Sequence, residues 1–300
     1  MDTLVTCMYN GLWGTPYGGR LNRDAMYRDS LRTIARTGLR IVCFVPAADV
    51  AAQQTHFQTS AADIIFVPLE LHDVPHHAAI QRIKARDAEE YSGIAWQERC
   101  VEVMWGKFFM LDRVLEAAPD AERMYWIDAG LANANVISTK YIAEADLHNG
   151  RLSEVASAFT PKLFARIRDF AGDRVLAIKT TQAHHPGIPA KYNRAPYTTS
   201  DGVIAGLFGG HRARVAELTA LFHEKVEATL RDERLFFEES ILTAIYSDRP
   251  ELFQTFTFDS WYHEGWNVYN PAVVNFSQFF DLMLETPPSR RILEFPWNAA

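Results

Sequence analysis

The chain contains little cysteine and no long apolar run. Its three cysteines, Cys7, Cys43 and Cys100, are far apart and form no C-x-x-C pair. This pattern suggests neither a disulfide framework nor a zinc ribbon, and Cys7 and Cys43 are expected to be buried free thiols. No apolar run approaches the ~20 residues that span a bilayer, and the first residues do not resemble a secretory signal. We therefore expect a cytoplasmic protein without a transmembrane segment.

Basic tracts and several familiar catalytic motifs are also missing. The net charge of −7 and the sequence pI near 5.8 argue against a nucleic-acid or anionic-membrane binder. The sequence has no Walker motif, no G-x-G-x-x-G and no G-x-S-x-G, so NTPases, dinucleotide enzymes and serine hydrolases are not indicated. What remains is a globular composition, 48% hydrophobic and 22% charged.

Strands and helices alternate along the first half of the chain. Three apolar runs read as strands, Leu4–Tyr9, Arg40–Val45 and Asp63–Pro68. The clearest helical spacing covers Arg99–Ala118 and leads directly into a strand at Met124–Ile127. Such alternation predicts an α/β fold with a parallel sheet.

The second half continues the alternation around one long polar connection. We predict two strands and three helices, in the order Pro161–Phe170 helix, Val175–Lys179 strand, Val203–Gly210 strand, Val215–Leu230 helix and Glu238–Tyr246 helix, followed by an aromatic-rich tail from Phe253 that ends in coil. The connection from Thr180 to Asp201 is long enough for a lid over a polar ligand, and Asp201 is a candidate acceptor contact. No repeat or linker divides the chain, which predicts one domain over residues 1–300.

The most informative segment is Met124–Gly130, an apolar run that ends in Asp128 and breaks at a glycine. A buried strand with an acidic tip carries a charge to the carboxyl edge of a sheet, where open α/β folds bind ligands. The alternative is a turn or capping aspartate, since Asp before Gly often marks a turn.

A glycine-rich segment between the first strand and the first helix is a second candidate. Arg20 and Arg23 follow its glycines and could pair with a diphosphate, because guanidinium groups bind phosphate oxygens bidentately; a plain flexible turn is the alternative. Tyr9 and Trp13 could stack on a nucleobase or belong to the core.

The histidines of the first half do not indicate a metal site. His72, Asp73, His76 and His77 lie close in sequence, but Pro75 interrupts them and no fourth ligand is evident. A solvated loop is the expected structure.

One resemblance covers most of the chain, from the first strand to about Tyr262. The run Tyr125–Gly130, the helix holding Lys107, and the later segments Gly206–Gly210 and Phe237–Leu242 resemble glycosyltransferases of the GT-A fold, most closely the bacterial HtrL/YibB-type proteins. The resemblance implies a mixed, mainly parallel sheet with flanking helices. It also implies a nucleotide-sugar-binding half at 1–130 and an acceptor-side half at 131–300.

In that family an Asp-x-Asp motif holds a divalent metal against the donor's diphosphate. Asp128 matches the first carboxylate, which implies Mn²⁺ or Mg²⁺ as cofactor, because a hard cation neutralises charge on the leaving group. Gly130 stands where the second carboxylate is usual, so this sequence departs from the family's metal-binding pattern and leaves metal dependence open. His263 could be a further metal ligand; its alternative is a histidine in an aromatic cluster.

The resemblance also suggests roles for four other residues. Glu238 and Glu239 open a helix, where carboxylates stabilise free N–H groups, but the family places an acidic residue there facing the reacting sugar or acceptor. Lys107 is a candidate diphosphate contact. Gly209 either admits a ligand or lets two backbone segments pack closely.

The leading hypothesis is therefore a glycosyltransferase that moves sugar from a nucleotide-diphosphate sugar to a glycan or small-molecule acceptor. One alternative is a nucleotidyltransferase that forms nucleotide-sugars, which usually needs a lysine-bearing glycine loop after the first strand. Another is a non-catalytic nucleotide- or carbohydrate-binding protein. These motifs do not specify the base, the sugar, the acceptor, the stereochemical outcome or the oligomeric state.

Overall fold

The computed structural model describes residues 1–9, 23–60, 62–89, 100–133, 159–182, 201–260 and 283; of residues 23–26, 100, 133, 180–182, 201 and 257–260 it describes the backbone alone. Seven strands lie in these ranges: β1 Asp2–Cys7, β2 Arg40–Val45, β3 Ile64–Pro68, β4 Arg123–Ile127, β5 Val175–Gln182, β6 Asp201–His211 and β7 Phe253–Ser260. The helices of the same ranges are α1 Arg23–Ala35, α2 Val50–Phe57, α3 His77–Arg86, α4 Cys100–Ala117, α5 Pro161–Ala171, α6 Arg212–Arg231 and α7 Glu238–Asp248.

The strands form one mixed sheet in the order β3-β2-β1-β4-β6-β5-β7. The neighbours β3/β2, β2/β1, β1/β4 and β5/β7 run parallel, and β6 runs antiparallel to both β4 and β5. The carboxyl ends of β1 and β4 therefore meet the first half of β6 at one edge. The predicted mixed, mainly parallel sheet with flanking helices is confirmed.

Helices cover both faces of the sheet, as the apolar strands require. Leu31 of α1, Phe57 of α2 and Phe164 of α5 belong to one core. The second core takes its helical members from α3, α4, α6 and α7; among its largest side chains are Phe108 and Phe222, which stack with ring centroids 3.5 Å apart. Strand β4 is buried at every position and supplies side chains to both cores.

Local sequence explains where several elements begin and end. Helix α1 is followed by Gly38, whose φ of +70° only glycine adopts readily, and whose N–H donates to the Ala35 carbonyl at 3.0 Å. Pro161 occupies the first turn of α5, where its missing N–H leaves no helix hydrogen bond unmade.

Three elements differ from the sequence-based expectation. The aromatic-rich tail from Phe253, for which no strand was predicted, begins with β7, which pairs with β5 along its whole length. The expected solvated loop around His77 is wrong at its end, because α3 begins at that residue. Helix α2 was not predicted; it is short and carries little apolar periodicity. The division into donor and acceptor halves stays a prediction.

Candidate active site

Three elements place charged side chains at the carboxyl edge of β4. Asp128 directly follows β4, Lys107 extends from the middle of α4, and Glu238 and Glu239 open α7. The backbone of Ala205 in β6 lies between them. The sequence-predicted residues Asp128, Lys107, Glu238 and Glu239 are therefore brought together.

Lys107 is the centre of this cluster. Its Nζ lies 3.0 Å from Asp128 Oδ1 and 2.9 Å from Glu238 Oε1, and it donates to the Ala205 carbonyl at 3.1 Å. The lysine side chain is only 6% exposed and the Glu238 side chain 8%. Burial opposes the charge on Lys107, but the carboxylates of Asp128 and Glu238 outweigh it and raise the pKa of the ammonium. Lys107 is therefore charged at all physiological pH values.

Asp128 remains half open although one of its oxygens is engaged. Oδ1 accepts from Trp126 Nε1 at 2.7 Å in addition to its contact with Lys107. The side chain is still 44% exposed. The Trp126 ring also lies 5.5 Å from the Lys107 ammonium, within the range of a cation–π contact. Asp128 thus presents its second oxygen to the outside.

Glu239 has the electrostatic character of a general base. Its Oε1 accepts from the Ala205 N–H at 3.2 Å. Although Glu239 is an exposed residue, desolvation of its carboxyl together with the charge of Glu238 raises its pKa to about 7. A carboxyl that titrates near neutrality can accept and release a proton at working pH.

A backbone irregularity in β6 creates the space for this cluster. Leu176 of β5 pairs with Gly209 of β6, and Ile178 pairs with Ile204. A step of two positions along β5 therefore corresponds to a step of five positions along β6. The β6 segment between these two pairs is not paired to β5, so the N–H and C=O of Ala205 bond to Glu239 and Lys107 instead. Such bulges re-aim backbone groups and occur often beside active sites.

Gly209 supports that irregularity, which is the second of its two predicted roles. Its φ is +138°, and a Cβ there would lie 2.2 Å from the Met124 carbonyl oxygen and 2.6 Å from Tyr125 Cα. Glycine is therefore required by the close approach of β4, and the ligand-contact role of Gly209 is not needed to explain it.

Packing also explains why position 130 is a glycine. A Cβ on Gly130 would lie 2.9 Å from Cε1 of Tyr27, which α1 places over the turn after β4. Helix α1 holds this turn a second time, because the Ala132 N–H donates to Ser30 Oγ at 3.0 Å. A side chain at position 130, including a second metal-binding carboxylate, would require Tyr27 to move.

The cysteines near the site are free, as predicted for Cys7 and Cys43. Cys43 is buried, whereas Cys7, the last residue of β1, is only partly buried. Burial and the charge of Asp128 raise the pKa of the Cys7 thiol to about 12, so it stays protonated and unreactive.

Tyr9 occupies the core, the second of the two roles that the sequence left open. Only 5% of the residue is exposed, and its hydroxyl donates to the Leu69 carbonyl at 3.0 Å. The predicted stacking on a nucleobase has almost no exposed ring surface available, so the structure favours a supporting role for Tyr9.

That support underlies a cavity at the carboxyl ends of β2 and β3. Its volume is about 370 Å³, and its walls include Phe44, Leu69 and Phe109, with the charged side chains Glu70 and Arg113. Glu70 Oε1 accepts from the Ala47 N–H at 2.9 Å. Neighbouring strands are ~4.8 Å apart, so β2 lies roughly 10 Å from β4 along the same edge.

Four predicted contacts cannot be placed. Arg20 and His263 lie outside the described residues, and of Arg23 the structure describes only the backbone, at the start of α1. Asp201 begins β6, with its side chain likewise not described. The roles of these residues stay predictions.

Trp126 and Ala205 were missed as site residues by the sequence analysis. Trp126 had a usable signal, because residues two apart on a strand face the same side, and Asp128 continues β4. Ala205 had none, because its role depends on where β5 stops pairing with β6.

The described part of the chain was searched for metal-binding groups and for membrane-spanning helices. No group of three or more His, Cys, Asp or Glu there could hold a metal ion. His77 instead contacts the buried Glu102, with Nδ1 and Oε1 2.9 Å apart. Among the described helices, none combines the length and apolar character of a membrane span. The cytoplasmic location stays a prediction.

Comparison with known proteins gives structural similarities only. No family model matches the chain, and no curated protein matches it by sequence. Mouse xyloside xylosyltransferase 1 is similar with a TM-score of 0.45 and 10% identity, over 85% of each chain. The inositol-1-phosphate CTP transferase from T. maritima gives a TM-score of 0.43 and 10% identity over 95% of both chains.

A third similar structure is 4-diphosphocytidyl-2C-methyl-D-erythritol synthase from Anaerococcus prevotii, with a TM-score of 0.38, 11% identity, and coverage of 94% of this chain and 96% of that one. At these scores and identities, none of the three indicates what this chain binds or transforms.

Proposed function

We propose that the protein is a glycosyltransferase that uses a nucleotide-diphosphate sugar as donor and a hydroxyl-bearing sugar or small molecule as acceptor. The observation that carries the proposal is the cluster of Asp128, Glu238 and Glu239 around Lys107, at the sheet edge where open α/β folds bind ligands. The motif resemblance to GT-A enzymes, and within them to HtrL/YibB-type proteins, supports the same choice.

In this proposal Glu239 is the general base. The acceptor hydroxyl gives its proton to the Glu239 carboxylate as its oxygen attacks the anomeric carbon, and the bond from that carbon to the donor's diphosphate breaks. The pKa of about 7 leaves a substantial fraction of Glu239 ionised at neutral pH, as this role requires.

We further propose that Mn²⁺ or Mg²⁺ accompanies the donor and neutralises its diphosphate. Asp128 can give such an ion only Oδ2 freely, because Oδ1 already contacts Lys107 and accepts from Trp126. Most ligands would then come from the diphosphate and water, with His263 as a further predicted ligand. The chain's described residues thus fit a cation that arrives with the donor better than a resident one.

The cavity beside β2 and β3 is our candidate binding site for the nucleobase of the donor. It opens on the same sheet edge as Asp128, and Phe109 offers an aromatic wall with the Arg113 guanidinium 6.0 Å from its ring centroid. The second carboxylate oxygen of Glu70 can accept a hydrogen bond from the nucleobase or the ribose. Phe109→Ala should weaken donor binding, whereas Phe170→Ala on the opposite core should leave it unchanged.

A thermal-shift screen of nucleoside diphosphates and nucleotide-sugars, with and without Mn²⁺, tests the donor site. A ligand that binds only the folded state stabilises it by about 2.7 kcal/mol at one hundred times its Kd. One nucleotide should raise the melting temperature by several degrees, and Asp128→Ala should remove that shift. If no nucleotide shifts the wild type, or if the variant keeps the full shift, the donor-site assignment is wrong.

Product analysis separates the alternatives. Sugar transfer releases a nucleoside diphosphate, whereas nucleotide-sugar synthesis consumes a nucleoside triphosphate and releases pyrophosphate. The sequence between β1 and α1 contains no lysine, which weighs against the nucleotidyltransferase. Binding without turnover over a broad panel of donors and acceptors would support the non-catalytic alternative.

A further inference from the structure

We propose that Lys107 is a positioning residue, which ties Asp128 to Glu238 and does not itself bind the donor's diphosphate. Part of this inference, the statement about the diphosphate, rests on the proposed function. The rest concerns the charge network alone and can be tested without any ligand.

The donor count of the ammonium is the first argument. A lysine Nζ carries three N–H donors and no acceptor. Three protein oxygens, from Asp128, Glu238 and the Ala205 backbone, lie 2.9 to 3.1 Å from it. No donor is left for a phosphate oxygen in this arrangement, and the side chain is almost completely buried.

The second argument is that the three acceptors come from three different elements. Asp128 follows β4, Glu238 opens α7 and Ala205 lies in β6. One ammonium on α4 therefore fixes the relative positions of the groups that line the site. It also supplies the only positive charge that the described structure shows in contact with Asp128 or Glu238.

The consequence of removing Lys107 follows from the burial of Glu238. Without the ammonium, an ionised carboxylate would be left buried and unpaired, which strongly disfavours the folded state. Removing both charges together would relieve that penalty, and this distinguishes a tether from a phosphate ligand.

The experiment compares Lys107→Met, Lys107→Met with Glu238→Gln, and the control Lys225→Met. Lys225 pairs with Asp248 at 2.5 Å on a more exposed helix surface. Thermal unfolding is measured at pH 8. We expect Lys107→Met to lower the melting temperature by about 5 to 8 °C and the double variant to recover at least half of the loss.

Two further readouts address positioning beyond stability. The midpoint of the Glu239 titration, followed by carboxyl ¹³C NMR, should rise in Lys107→Met and stay unchanged in the control, because the nearby positive charge is gone. Any nucleoside-diphosphate thermal shift found for the wild type should be weakened but not lost in the double variant, because Asp128 is no longer held in place while the phosphate loses no contact of its own.

The outcomes separate cleanly. A Lys107→Met protein that fails to fold while the double variant folds supports the tether. A double variant as unstable as the single one, or Lys107→Met within about 2 °C of wild type, overturns it. A double variant that folds but loses the nucleotide shift overturns the statement about the diphosphate. If no nucleotide shifts the wild type, the proposed function fails while the melting series still decides the tether.

Discussion

Strand β4 is flanked by two aspartates that both pair with a cation, yet the two pairs differ in almost every physical respect. Before the strand, Asp120 accepts from Arg40 through two parallel bonds of 3.0 and 2.9 Å, with its side chain 56% exposed. After the strand, Asp128 shares a buried ammonium with Glu238. The first pair fastens β4 to β2 at the surface, whereas the second joins the half-open Asp128 to the buried Lys107 and Glu238.

The two ends also respond oppositely to ionisation. The hydrogen bonds from Arg40 hold the pKa of Asp120 below its usual value, so ionisation there favours folding. Burial and the charge of Glu238 raise the pKa of Glu239, so ionisation there opposes folding. A fold that keeps such an unfavourable cluster is easier to explain by chemistry than by stability.

The largest difference between the two ends of β4 should appear when Lys107 and Asp120 are each truncated. We expect Lys107→Met to lower the unfolding free energy by about 3 to 5 kcal/mol at pH 8, because it leaves a buried carboxylate unpaired. Urea unfolding at fixed pH measures the loss. A loss no greater than that of Asp120→Ala would remove the contrast between the two ends.

A side chain at position 130 should give the next largest effect. Gly130→Ala places a methyl group 2.9 Å from Cε1 of Tyr27, and overpacking of this kind lowers stability by about 1 to 3 kcal/mol. Adding Tyr27→Ala should make the glycine substitution nearly neutral relative to Tyr27→Ala alone. A double-mutant cycle in urea tests this, and additive losses would show that the two residues do not compete for space.

The pH dependence of the protein's stability should also differ between the two ends of β4. The pKa of the Glu239 carboxyl is about 7 in the folded state, above its ordinary 4.5. Its ionisation therefore lowers the stability of the folded protein as the pH rises from 4.5 to 7. Glu239→Gln should flatten the stability curve over that interval, since glutamine does not titrate. Melting temperatures of both proteins across pH 4 to 8 provide the measurement; parallel curves would contradict the raised pKa.

The smallest effect should come from Asp120→Ala. Exposed ion pairs contribute little, and the expected drop in melting temperature is about 1 to 2 °C. Because the pKa of Asp120 is lowered, its contribution is present above its ordinary value of 3.8 and disappears as the pH falls below it. A loss that persists unchanged in 1 M salt would show that this pair is not a screened surface pair.

The elements predicted from sequence are those whose signals are local. Strand β2 spans the predicted Arg40–Val45, and α4 begins and ends within one residue of its predicted bounds. Strand β7 was missed because its pairing partner, β5, lies about eighty residues earlier in the chain. Polarity and aromatic content alone did not distinguish Phe253–Ser260 from coil.

The site shows the same division between local and distant information. The acidic tip of β4 and the acidic start of α7 were readable as patterns, and the structure brings Asp128, Glu238 and Glu239 together. The partners of Lys107 were not readable, because its acceptor Ala205 is 98 residues away and is freed only by the register of β5. Tyr9 was ambiguous for a similar reason, since burial depends on what packs over it.

The extra residues of β6 make this site depend on the register between β5 and β6. If the same acidic and basic side chains were placed on a sheet with a regular β5–β6 ladder, the Ala205 peptide would bond to β5. Lys107 would then lack one acceptor and Glu239 its backbone donor. A protein engineer who wishes to move this site to another scaffold must therefore copy a strand register as well as side chains, and a search for similar sites should compare backbone hydrogen bonding before residue identity.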